Sequence, residues 1–353
     1  MVDIESAASI DKHRFLTEAF PEFAIATAVL VVRIFARTKA VGFRGWQGDD
    51  YFAVLCILFW IIQVVLVKQI LNNGVNIGIS DEARYELSLM PDEYARFVLG
   101  SKCYLASWFI YISLIWSLKA CTLFLFNRIT LGLWQQKLVK YTAVSVVLSY
   151  VAIVLSLCLQ CRPIQGNWQV YPDPGDQCTN NPLNYYLIGS TNILTDAILL
   201  IVPFPTVNRA NIPSSKKIGL SILLSSGIFI IIASILRWVI SVQQIDNVST
   251  GAAWAIREGF IATIIVNLPS IYPLFTRFRR NNDDPLIFSP PTNLGRSETT
   301  CIGMQRVDSQ PDNQEDFKHF IFGLGRRRSN SSISLDGRRD SDGIKITTTY
   351  EVA

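Results

Sequence analysis

IGLSILLSSGIFIIIASI, residues Ile218–Ile235, contains no charged side chain. A helix rises about 1.5 Å per residue, so this stretch alone reaches most of the way across a hydrocarbon core about 30 Å thick. Extended to Val242 it is long enough to span. Working outward, six further runs have the same character: Phe20–Ala36, Tyr51–Leu71, Cys103–Phe126, Tyr141–Gln160, Tyr185–Pro205 and Ala252–Phe275. The first is the shortest and is interrupted by Arg33. Buried helices of a soluble protein are the competing reading. No soluble domain of this size needs so many long runs with so little intervening charge. The expectation is an all-α, polytopic membrane protein with seven transmembrane helices.

Composition agrees. Of 353 residues, 50% are hydrophobic and 17% charged, and the mean hydropathy is +0.30. Ordinary soluble domains carry about a quarter charged residues. The deficit falls before residue 280, after which the chain turns polar. This divides the chain into a short N-terminal segment (1–19), a membrane domain (20–276) and a tail (277–353). The N-terminal segment carries Asp3, Glu5, Asp11 and Glu18 and lacks the basic-then-apolar order of a cleaved leader. The first apolar run is therefore expected to stay and to direct insertion. A net charge of +4 is spread over loops and tail. It does not suggest nucleic acid, which would need a basic face on a matching fold; the partner the apolar runs imply is the lipid bilayer.

Basic residues beside the runs set the orientation. One set of loops holds Arg37, Lys39, Arg44, Arg128, Lys137, Lys140, Arg209, Lys216, Lys217, Arg277, Arg279 and Arg280. The other set holds Lys12, Arg14, Arg84, Arg96 and Arg162, together with most of the loop acids. The richer side is expected to be cytoplasmic. That puts the N-terminus outside and the C-terminus in the cytoplasm, with the plasma membrane as the expected location.

Seven cysteines are present. Cys56, Cys121 and Cys158 lie within apolar runs and read as packing residues. Cys301 is in the tail and should be reduced. Cys161 and Cys178 share the outer loop CRPIQGNWQVYPDPGDQC, and Cys103 lies at the outer end of its run. Cys161–Cys178 is the leading disulfide, with Cys103–Cys178 as the alternative. Asn247-Val-Ser is a sequon and makes Asn247 a glycosylation candidate. With only His13 and His319 and no close cysteine pair, no metal site is expected.

Ionisable groups inside spans are costly and are functional hypotheses by default. Lys119 and Asp196 should lie at similar depth and could pair. Asn192 is one turn from Asp196 on the same helical face. Arg237 and Glu258 could meet in the same way, or Arg237 could snorkel to the interface. These five residues form a candidate intramembrane polar network. It could merely fix helix packing, or it could serve a ligand or a switch. Arg33, Arg37, Asp49 and Asp50 read as an inner ion cluster holding the first inner loop. Lys68 reads as a snorkelling residue.

Several ordered stretches carry a resemblance. They are RIFAR at Arg33–Arg37, GWQGDDYF at Gly45–Phe52, SLKACTLFLFNRI at Ser117–Ile129 and CRPIQGNW…DQC at Cys161–Cys178. They continue with NILTDAILLIVPFPTV at Asn192–Val207, Lys216-Lys217 and ILRW at Ile235–Trp238. Together they resemble the fungal rhodopsin-domain family of integral membrane proteins over residues 20–276. The resemblance implies seven helices with the N-terminus outside. It also implies a receptor-like role toward environmental or surface cues, or an accessory role beside secondary-metabolite genes. Retinal would need a Schiff-base lysine, usually in the last helix, and AAWAIREGFIATIIVNLPSIYPLF at Ala252–Phe275 has none. No cofactor is expected. Receptor signatures are partial. Phe126-Asn127-Arg128 replaces an acidic-Arg-aromatic triplet, and Asn267-Leu-Pro269-Ser-Ile-Tyr272 carries one extra residue.

The tail is rich in Ser, Asn, Asp and Arg and reads as disordered. Ser329 and Ser341 each follow an arginine pair at the spacing of basic-directed kinases, so both are phosphorylation candidates. Binding of the tail to anionic inner-leaflet lipids is the other reading. No catalytic residues are found: there is no phosphate loop, nucleophile elbow or metal motif, and neither histidine is in the bundle. The expected function is a non-enzymatic receptor or sensor with a small-molecule or surface-cue ligand and a cytoplasmic signalling partner. An accessory membrane protein of a secondary-metabolite pathway is second. A transporter is third, because neither internal repeats nor paired broken helices are found.

Overall fold

A computed structural model describes residues 2–130, 135–175, 177–179, 182–204, 214–244 and 247–283. Arg209, Cys301, Ser329 and Ser341, and with the last three nearly all of the expected tail, lie outside the described residues. Those described form eight α-helices, two short 3-10 turns and no strand. The helices are α1 (Val2–Val41), α2 (Gly48–Asn73), α3 (Asp81–Ser88), α4 (Pro91–Ile129), α5 (Gln135–Leu159), α6 (Pro182–Ile201), α7 (Ser214–Gln243) and α8 (Val248–Asp283).

Each of the seven apolar runs lies mainly on one long helix, α6 covering Tyr185–Ile201 of the fifth; α3, short and polar, has none. Six helices are long and apolar enough to cross a membrane. α6 is not among them, because Asn184, Asn192 and Asp196 dilute its 20 residues. Asn184 and Asn192 are buried within the protein, so the polarity that lowers its average is directed at other helices. α1 starts well before Phe20, and its membrane-length portion is Phe15–Lys39. Arg33 does not break it: the side chain is buried and paired.

Local signals mark the helix starts. Asp50 closes a capping box on Gln47 at the start of α2, accepting from the Gln47 backbone N–H at 2.9 Å. Pro91 opens α4, where its missing N–H leaves nothing unpaired. Asn247 caps α8: its Oδ1 accepts from the Thr250 N–H at 3.3 Å and the Ser249 hydroxyl at 2.7 Å. The glycosylation candidate is thus an exposed cap residue. α2 ends on Gly74, at φ +76. A Cβ on Gly100 would lie 1.7 Å from the Gly74 carbonyl oxygen, so α4 passes here against bare backbone.

In sequence order α1, α2, α4, α5, α6, α7 and α8 pack as a closed ring, α8 returning to α1, and α4 also meets α8 across it. Trp60 centres one core among α1, α2, α4 and α8, edge-on to Phe23 at 5.1 Å and donating to the Thr263 hydroxyl at 3.2 Å. Ile112 and Ile115 belong to a second core with Val146, Ile153, Ile188 and Leu199 of α5 and α6. Cys56 and Cys121 are buried. Cys158 is not the packing residue expected: α5 packs through Val139, Val146, Ile153 and Leu157, and Cys158, one position on, is exposed.

At the end of the bundle away from Asp49, the 160s loop is closed by the Cys161–Cys178 disulfide, and Cys103 is free. Buried Arg84 knits this end together, donating to the carbonyls of Asn76 at 2.8 Å and Val170 at 3.0 Å. The loop closed by the disulfide has a sequence separation of 17, a size for which cross-linking is worth about 3 kcal/mol. Cys178→Ser should therefore lower the thermal midpoint of the purified protein. Reductant should lower the wild type to match, and Cys103→Ser should change neither.

Candidate functional site

Two buried charge clusters occupy the ring. The first joins α4, α6, α7 and α8. Lys119 and Asp196 meet as an ion pair, and Lys119 Nζ also donates to the Asn192 carbonyl at 3.1 Å. Arg237 pairs with Glu258. Asn192 connects the two pairs, since its Nδ2 donates to Glu258 Oε1 at 2.8 Å and to Ser234 Oγ at 3.2 Å. The Ser234 hydroxyl donates to the same Glu258 oxygen, and the Tyr111 hydroxyl to the other, each at 2.5 Å. Glu258 is thus the common acceptor for three helices. The expected five residues come together as one network, and the structure adds Tyr111 and Ser234. Neither is charged, so nothing in the sequence singled them out. Arg237 sits 5.5 Å from the Tyr111 ring centroid and Lys119 5.5 Å from that of Trp116, near enough for cation–π attraction.

Two cations and two anions balance here. Burial strips water from most of this network, and the attraction offsets the cost because both Glu258 oxygens and Asp196 Oδ1 find donors. An arrangement of this kind fixes how four helices sit. It also makes that fit sensitive to any group inserted among the charges.

The second cluster joins α1, α2, α4 and α8 at the ends of the helices. Asp49 accepts from Arg33 and from Arg128, both at 2.9 Å, and Asp50 from Arg37 at 3.1 Å. Arg33 continues to Asn267 Oδ1 at 2.6 Å. Asp49 and Asp50 are only 2% and 1% exposed. The four expected residues meet here, and the cluster reaches well beyond the first inner loop. In the sequence Arg128 reads as a basic loop residue and as part of an incomplete triplet, and Asn267 as part of a partial motif. Their partners lie far away in sequence, which no local pattern reveals. Among the described residues no group of three or more potential metal ligands occurs.

The fungal rhodopsin domain family matches the chain over residues 32–277. A curated SAT4 family membrane protein of Emericella nidulans is 24% identical over 203 residues, which is 56% of this chain and 50% of that protein. The chain thus spans about half the length of the curated relative it matches. No solved structure matches. Retinal, suggested by the family's description, does not fit the residues at the usual attachment point: α8 carries no lysine, and buried Lys119 on α4 is ion-paired with Asp196.

Proposed function

Because the chain belongs to the fungal rhodopsin domain family and is a multi-pass membrane protein, we propose that it is a receptor or sensor of the plasma membrane with no catalytic step. Seven helices cross the bilayer, α6 included, with the N-terminus outside and the C-terminus in the cytoplasm. A small-molecule or surface cue acts on the bundle, and the cytoplasmic loops and tail pass the change to a signalling partner.

The observation that supports this most is the pair of charge clusters, which share only α4 and α8. A cue that disturbs the Glu258 network shifts α6 and α7 against α4 and α8, and the Asp49 cluster feels the shift through Arg128 and Asn267. Coupling of this sort needs a bistable element that both ends bias; the shared α4–α8 pair is that element.

Asp196→Asn tests the reading. The amide leaves Lys119, 4% exposed, without its ion-pair partner, so folded yield should fall and the response is read per folded molecule. The cellular response that depends on this chain should fall by about tenfold or more. Reversing Lys119 and Asp196 together should recover folding of whichever single reversal misfolds. A preserved response with reduced yield would make the network a scaffold only. Solute flux in reconstituted vesicles would replace the receptor with a transporter. A tag at residue 2 reached by antibody on intact cells checks the orientation.

A further inference from the structure

Beside the Glu258 network lies a cavity of ≈ 70 Å³ with two unlike ends. One end is polar, lined by Lys119, Asp196, Ser234 and Glu258. The remainder runs toward the Asp49 end of the bundle and is apolar, with Leu125, Phe126, Leu199, Pro203, Ile230 and Val266 among its walls. Asp196 is the network's open member: its side chain is 11% exposed, against 4% for Lys119 and 2% for Glu258.

Charge decides what the polar end accepts. The two cations are matched by two anions, so a charged head would shed its hydration without gaining a counter-ion. A neutral hydroxyl meets both needs at once, donating to the Asp196 carboxylate and accepting from the Lys119 ammonium. At ≈ 70 Å³ the cavity takes the hydroxyl and the first carbons behind it, and the rest of a longer chain stays in the lipid at the α6–α7 seam.

The way in is equally specific. Between α6 and α7, Gly227 faces the end of one side chain: a Cβ there would meet Leu200 Cδ1 at 2.7 Å and Cγ at 4.0 Å and nothing else. Leu200 is half-buried. Leu200 of α6 and Gly227 of α7 both line the cavity, so the side chain at 200 and the missing one at 227 bear directly on access from between these helices.

We infer that this cavity binds a neutral amphipath with one hydroxyl, which enters from the lipid between α6 and α7 and sets its hydroxyl between Asp196 and Lys119. The inference rests on the receptor reading for the occupant's role as the cue, but binding is measured without any cellular response. The full chain is placed in phosphatidylcholine nanodiscs and exposed to diazirine-bearing hexadecanol, with diazirine-bearing palmitate and hexadecane as head-group controls. After photolysis the labelled peptides are mapped by mass spectrometry. The alcohol should label the Leu199–Pro203 and Ser226–Ile230 segments saturably, about fivefold above either control. Gly227→Leu, filling the mouth, should cut this by about tenfold. Leu200→Ala, opening the seam, should raise it severalfold, and because it only removes side-chain atoms it guards against misfolding of the first variant. Equal labelling by the alkane, stronger labelling by the acid, or indifference to both substitutions overturns the inference. Expected labelling together with an unimpaired response of Asp196→Asn would instead keep the site and sink the receptor reading.

Discussion

Glu258→Leu is expected to cost about 3–5 kcal/mol, because it leaves Arg237 charged and buried with no anion. Arg237 is 2% exposed. The same change orphans the hydroxyls of Tyr111 and Ser234, both of which donate to Glu258. Unmade bonds of this kind cost about 1–3 kcal/mol each where no water can replace them. The loss reads as a large fall in thermal midpoint and in monodisperse yield from detergent. The double substitution Arg237→Leu/Glu258→Leu removes both charges, and buried pairs replaced by apolar groups of similar volume are often neutral or better. The double variant should therefore recover most of what the single lost. Ser234 and Asn192 keep their mutual bond in it. A double variant as unstable as the single would mean that the packing of Glu258, and not its charge, holds α7 and α8 together.

What the sequence made readable follows from which forces act locally. Helices that face lipid must satisfy their backbone internally and carry apolar side chains, so the seven runs were visible without any tertiary information. The runs on α1 and α6 carry polar residues. Arg33, Asn192 and Asp196 interrupt their runs, and an interruption looks the same whether its partner lies on another helix or is water. Charge made Lys119, Asp196, Arg237 and Glu258 stand out, and the matching depth of the first two suggested a pair. Joining the two pairs required Asn192 to turn toward α8, which depends on how α6 is rotated in the ring. Arg84 shows the limit most clearly. It counted in the sequence only as one basic residue in a loop, yet its guanidinium is buried against backbone carbonyls of two separate loops. Carbonyls have no sequence signature, so no pattern of side chains could have found them.

Asp49 and Asp50 are neighbours of the same type and near-equal burial, and their amide variants should differ. Asp49 uses both oxygens on separate arginines, Oδ2 on Arg33 and Oδ1 on Arg128. In Asp49→Asn one of those oxygens becomes an NH₂ group facing a guanidinium, donor against donor, and the remaining carbonyl can serve only one cation. Arg33 and Arg128 are then both buried against a neutral group, a loss of about 3–5 kcal/mol. Asp50 is different: its Oδ2 takes both the Arg37 Nε–H and the Gln47 N–H. In Asp50→Asn that one oxygen can keep both bonds, but buried Arg37 loses the Asp50 carboxylate, so the cost should be the smaller of the two because one arginine, not two, then faces a neutral group. Thermal midpoints of the two purified variants check the difference. The same pair also separates stability from coupling. Asp49 links α2 to α4 through Arg128, and to α8 through Arg33 and Asn267; Asp50 ties α2 to α1. If α4 and α8 carry the signal between the clusters, Asp49→Asn should also change the protease accessibility of the α4–α5 loop in folded protein, and Asp50→Asn should leave it as it is. Equal midpoints and equal accessibility would mean that the arginines share the two carboxylates freely, and the assignment of Asp49 as the link between helices would fail.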